Sequence, residues 1–166
     1  LVISEREQGR EARYRMLETI RQFASERLLK AGEVEQVRNR HLDFFLHSGE
    51  QAGPRLRGAK QFEWLDRLEA ENDNLRASLE WSLTRAEYGE VSLRLAGTLF
   101  LFWRYGSNIS EGRAWLRRVL ASPTAPLAGA ARAQALYADG FLAHCQSDTT
   151  AIALLEESIS LWRALV

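Results

Sequence analysis

The sequence predicts an all-α chain, an α-solenoid of antiparallel helix pairs that opens with a small β-hairpin. Three observations predict it. Apolar residues recur at spacings of three and four from Leu17 onward, a period of two is confined to the segment before it, and two stretches of the C-terminal half align with one another.

The hairpin comes first. Leu1, Val2 and Ile3 are apolar and partly β-branched, Ser4 to Arg10 is polar with Gly9 as the turn residue, and Ala12, Tyr14 and Met16 then alternate with Glu11, Arg13 and Arg15. Alternation marks a strand with one covered face. Two strands alone are marginal in water, so the pair reads as the remnant of a larger domain.

Helical spacing follows. Leu17, Ile20, Ala24, Leu28 and Ala31 form one stripe, and Gly32 stands where a C-cap glycine belongs. Val34, Val37, His41 and Phe44 form a second stripe that ends near Gly53-Pro54, with a short basic loop over Arg55 to Gly58. Leu65, Leu68, Asn72, Leu75 and Leu79 then predict one helix from about Lys60 to Ala86. A break near Asn72-Asp73-Asn74 competes with it, because these side chains favour caps and turns.

The repeat lies beyond. Aligning Glu111–Leu116 with Thr150–Leu155 pairs Leu116 with Leu155, Ala96 with Ala135 and Phe102 with Phe141. Helix–turn–helix repeats of roughly 34 to 45 residues mark α-solenoids. Val91 to Tyr105 is apolar on nearly every face and must be covered on several sides. Ala130, Ala131, Ala133, Ala135, Ala138 and Gly140 permit close helix approach. Ile152, Leu155, Ile159, Trp162 and Val166 form a last stripe whose outer neighbours, Leu161 and Leu165, predict an exposed apolar C-terminal face.

Bulk composition narrows the function classes. Lys+Arg and Asp+Glu are both 22, a balance that gives no general attraction to nucleic acid or an anionic membrane. The lone Cys145 rules out an intrachain disulfide and makes a reducing cytoplasm the expected setting. The densest apolar run, Leu99 to Trp103, is far too short to span a bilayer. The chain opens on Leu1 and closes on Val166 inside an apolar-periodic run, so both ends read as cut from a longer protein.

No catalytic centre emerges. Gly58-Ala59-Lys60 lacks the spacing and the hydroxyl of a phosphate-binding loop. His144 and Cys145 are adjacent and project about 100° apart on a helix, and His41 and His47 share no helix face. Neither pair suits a metal ion or an activated thiol. Glu69, Glu71 and Asp73 lie beside Arg67 and Arg76 and read as a solvated charge lattice.

Two features point to binding. Phe100, Phe102, Trp103, Tyr105 and Trp115 gather where one helix turns into the next, either lining a ligand or peptide groove or, as aromatics at helical spacing more often do, filling a helix-pair core. Arg113, Arg117 and Arg118, with Arg104 nearby, form either a basic face for an acidic partner or a solvated one. The candidate partner or effector groove is therefore Phe100, Trp103, Tyr105, Trp115, Arg104, Arg113 and Arg117.

Three motifs carry a family resemblance. Arg13-Tyr14-Arg15-Met16-Leu17-Glu18-Thr19-Ile20-Arg21-Gln22-Phe23-Ala24 resembles the junction after the winged-helix segment in bacterial signal-transducing ATPases of the STAND class, among them LuxR-type and SARP (AfsR-like) transcriptional regulators. Trp64 to Ala77 resembles that family's linker helix, and Glu111-Gly112-Arg113-Ala114-Trp115-Leu116 resembles the motif opening the second helix of its first tetratricopeptide-like (TPR-like) pair. The likeness runs over essentially the whole chain and is most specific in the first two blocks.

The resemblance implies a wing-hairpin remnant over residues 1–17, a helical connector over 18–86 and TPR-like helix pairs over 87–166, cut at the C-terminus. It also implies that ATP binds only in an upstream domain absent here, and that DNA is met only through parts outside this chain. The expected function is a protein-interaction or inducer-sensing module that regulates the ATPase of a larger regulator. Its partners would be a protein or inducer and the parent's own ATPase module, and its exposed C-terminal helix offers a route to a homodimer. A small-molecule effector domain using the aromatic cluster is the second reading, and direct nucleic-acid binding the third. No cofactor, metal or membrane partner is expected.

Overall fold

The computed structural model describes residues 2–5, 13–106 and 108–165, which leaves the expected turn at Gly9 and the stripe residue Val166 outside them. Two compact units, residues 1–40 and 41–166, divide the chain within its second helix.

In the first unit, β1 (Val2–Glu5) pairs antiparallel with β2 (Arg13–Met16), Val2 opposite Met16 and Glu5 opposite Arg13. Helix α1 (Glu18–Ala31) follows directly. Its C-terminus closes as the glycine predicts: Gly32 takes φ 72°, its N–H donates to the Leu29 carbonyl at 3.2 Å, and the Glu33 N–H donates to that of Leu28 at 3.0 Å. A left-handed residue at this position costs little only for glycine. Of the expected stripe, Ile20, Ala24 and Leu28 are half-buried, and no residue of α1 is fully buried.

Helix α2 (Val34–Arg55) buries Leu42, Phe45, Leu46, Gly49 and Ala52. This face is displaced by one residue from the expected stripe: Val37 and Phe44 are exposed, Phe44 at 64%. Three-and-four spacing fits both the expected set and the adjacent Leu42, Phe45 and Leu46, and the second set is the one buried; its face continues through Gly49, where a Cβ would stand 2.9 Å from Thr98 Oγ1. His41 sits at its margin, its Nδ1 3.0 Å from Ser78 Oγ and its ring against Phe45.

The segment expected as one helix over Lys60–Ala86 is two, α3 (Gln61–Ala70) and α4 (Asn72–Ser82). They part at Glu71, where φ is −102° and ψ 8°, and Asn74 Nδ2 donates to the Glu71 carboxylate at 2.6 Å. The competing break is thus the one that forms. Leu68, Leu75 and Leu79 still face inward, with Leu65 and Asn72 half-buried. A 3-10 turn, Ala86–Tyr88, leads onward.

The remaining helices are α5 (Gly89–Thr98), α6 (Phe100–Tyr105), α7 (Ile109–Leu120), α8 (Ala130–Cys145) and α9 (Ala151–Ala164). The expected continuous helix over Val91–Tyr105 is interrupted at Leu99, yet Leu93, Leu95, Ala96, Leu99, Phe100, Leu101, Phe102 and Trp103 are all buried. Burying each Leu- or Phe-sized chain stabilises the fold by about 1.5–3 kcal/mol, which is why this segment anchors the core.

Side-chain neighbours give the helix directions. Arg113 meets Asp139 and Arg132 reaches the Leu120 carbonyl, so α8 runs antiparallel to α7. Gly140 abuts Leu155 and Ala133 accepts from Ser158 Oγ, so α9 runs antiparallel to α8. Gly97 touches Gln134 and Phe100 touches Tyr137, so α5–α6 and α8 lie side by side in the same sense. Two successive helix pairs, α5–α6 with α7 and α8 with α9, are therefore stacked in a row. Apart from β1 and β2, the regular structure of the described residues is helical.

Candidate interaction surface

The groove residues expected from sequence separate into two groups. Phe100, Trp103 and Trp115 are core: Trp103 lies beneath Gly112, where a Cβ would come within 2.6 Å of its ring, and Phe100 packs edge-on against Tyr137 and Phe141. Trp115 is covered by the Arg118 guanidinium 4.5 Å above its ring. For these rings, the packing explanation of helical spacing describes the geometry. Tyr105 is exposed, with the half-buried Arg104 over its ring at 5.7 Å, and the Arg117 side chain is also exposed.

Arg113 belongs with the buried group and not with a basic face. Its side chain is only 6% exposed. Nε donates to Asp139 Oδ1 at 3.1 Å, Nη1 to Asp148 Oδ2 at 2.7 Å and Gln146 Oε1 at 3.0 Å, and Nη2 to Thr150 Oγ1 at 3.2 Å. A charge can be buried when each of its nitrogens finds an acceptor in this way. Burial pulls the guanidinium pKa down, but the hydrogen bonds to Asp148 and Asp139 outweigh it and leave the pKa raised.

The acceptors of this network were not legible as site residues. Asp139 stands among alanines on α8 and is 1% exposed. Asp148 lies in the turn before α9, where Oδ1 accepts both the Thr150 N–H and its hydroxyl at 2.8 Å. The Asp148-Thr149-Thr150 spacing is an Asx-turn signal that could have located it. The Thr150 N–H and Arg113 together hold the Asp148 carboxyl far below its ordinary range. In effect, Arg113 ties α7 to α8 and to the turn that launches α9.

Solvent reaches an open depression edged by Arg104, Asn108, Ile109, Ser110, Glu111 and Gln146. Gln146 donates to Ser110 Oγ at 2.9 Å, so this rim is continuous with the Arg113 network. Tyr137, and Phe141, which the sequence marks only as the repeat partner of Phe102, are half-buried beside Phe100 on the side of α8 that meets α5 and α6. Among the described residues no group of three or more His, Cys, Asp or Glu could hold a metal ion, and no helix is long and apolar enough to cross a membrane.

Comparison with known proteins supplies a second line of information. No family model matches the chain, and no solved structure matches it. Curated relatives do: one protein of Mycobacterium bovis and two of Mycobacterium tuberculosis strains, each provisionally named an HTH-type transcriptional regulator, are 35% identical to it over 120 residues. The chain is similar to transcriptional regulators. That similarity covers 72% of this chain but only 13% of each mycobacterial protein, so the chain spans a small part of the regulators it matches.

Proposed function

We propose that this chain is a TPR-like protein-interaction or inducer-sensing module that regulates the ATPase of a larger bacterial transcriptional regulator of the STAND class, LuxR-type or SARP-like. The observation that carries the reading is the 35% identity over 120 residues to HTH-type regulators, met in a chain built of stacked helix pairs. Such stacks offer extended side surfaces to partners. The exposed Tyr105 and Arg117 and the half-buried Arg104, together with the depression edged by Ser110 and Gln146, are the surface through which an inducer or partner would act.

The mechanism is differential contact. An effector that binds one arrangement of the array against the ATPase module more tightly shifts the equilibrium toward it, by no more than its difference in affinity. The Arg113 network gives the array the stiffness to transmit such a shift, because α7, α8 and the α9 turn share one set of hydrogen bonds.

The test is made in the full-length gene product. Arg104→Glu with Tyr105→Ala is expected to alter both the ATP hydrolysis rate and the set of transcripts that depend on the protein. Unchanged hydrolysis and unchanged transcripts would remove the reading. A small-molecule effector using the aromatic cluster is the second reading; with Phe100, Trp103 and Trp115 buried, Tyr105 is the part of that cluster open to it. This reading predicts a metabolite that raises the melting temperature, since a ligand at 100 times its Kd adds about 2.7 kcal/mol of stability.

A further inference from the structure

We draw no further inference here: the strongest candidate, the exposed apolar edge of α9 at Ile152 and Ile159, carries none, because nothing in the structure shows what covers it.

Discussion

The Arg113 guanidinium on α7 donates to the Asp139 carboxylate on α8 at 3.1 Å, with both side chains almost wholly withdrawn from solvent. Truncating one member leaves the other charge buried without its partner. Arg113→Met or Asp139→Leu alone is therefore expected to cost about 3–5 kcal/mol. The double replacement removes both charges and should recover most of that loss. Chemical denaturation of the four proteins in a double-mutant cycle measures the coupling, and additive costs would show that the pair does not act as a unit.

Acid should loosen the same region. The Asp148 carboxyl is held below its ordinary value by the Thr150 N–H and Arg113, and Glu111 and Glu80 are lowered by Arg76 and Arg118. A depressed folded-state pKa contributes stability that is complete above the unfolded value, roughly 4, and is lost as pH falls through the folded value. The melting temperature is thus expected to show no loss from these groups between about pH 7 and 5 and to fall below that. Asp148→Asn should melt lower at neutral pH and show a shallower acid limb, the two curves converging in strong acid. Parallel curves would show that Asp148 is not one of the linked groups.

The helix pairs were legible in the sequence because large apolar residues repeat on them; of the outer neighbours expected to be exposed at the C-terminus, Leu165 is exposed and Leu161 is half-buried, while the stripe residues Ile152, Ile159 and Trp162 are themselves exposed. Three things escaped in whole or in part. The buried face of α2 lies one residue from the expected stripe because Leu42, Phe45 and Leu46 fit helical spacing as well as Val37, His41 and Phe44 do, and only packing decides between them. The break at Glu71 was legible only as the competitor to one continuous helix, because apolar spacing crosses it without interruption. Arg113 was grouped with Arg117 and Arg118 because a charged residue is ordinarily solvated, and only the pairing of helices brings Asp139 and Asp148 to it.

Glycine contacts give predictions of opposite sign. A Cβ on Gly89 would stand 1.9 Å from the Thr124 carbonyl oxygen, a backbone atom that cannot be moved without displacing the loop before α8. Gly89→Ala should destabilise by about 1–3 kcal/mol, as overpacking does. Gly53, inside the last turns of α2, has nothing within 4 Å of the same position. Gly53→Ala should instead stabilise by about 0.5–1 kcal/mol, through helix propensity and a less disordered unfolded chain. Urea midpoints of the two variants check both signs, and equal shifts would show that neither contact controls stability.

Two ion pairs cross between α4 and α7 in opposite senses. Arg76 of α4 donates to Glu111 of α7 at 2.6 and 2.8 Å, and Arg118 of α7 donates to Glu80 of α4 at 2.7 and 2.8 Å. Each is bidentate, which fixes the register of the two helices more firmly than a single contact does. Because the groups are partly solvated, each pair should be worth only about 0.2–1 kcal/mol. Exchanging the partners of one pair, Arg118→Glu with Glu80→Arg, should retain most of that coupling, whereas Arg118→Glu alone sets two carboxylates together and loses it. Salt discriminates further, because screening reduces the penalty of the single variant toward zero near 1 M while the Arg113 cluster, shielded from water, keeps its coupling. A single variant as stable as wild type at low salt would mean that apolar packing alone sets the register between α4 and α7.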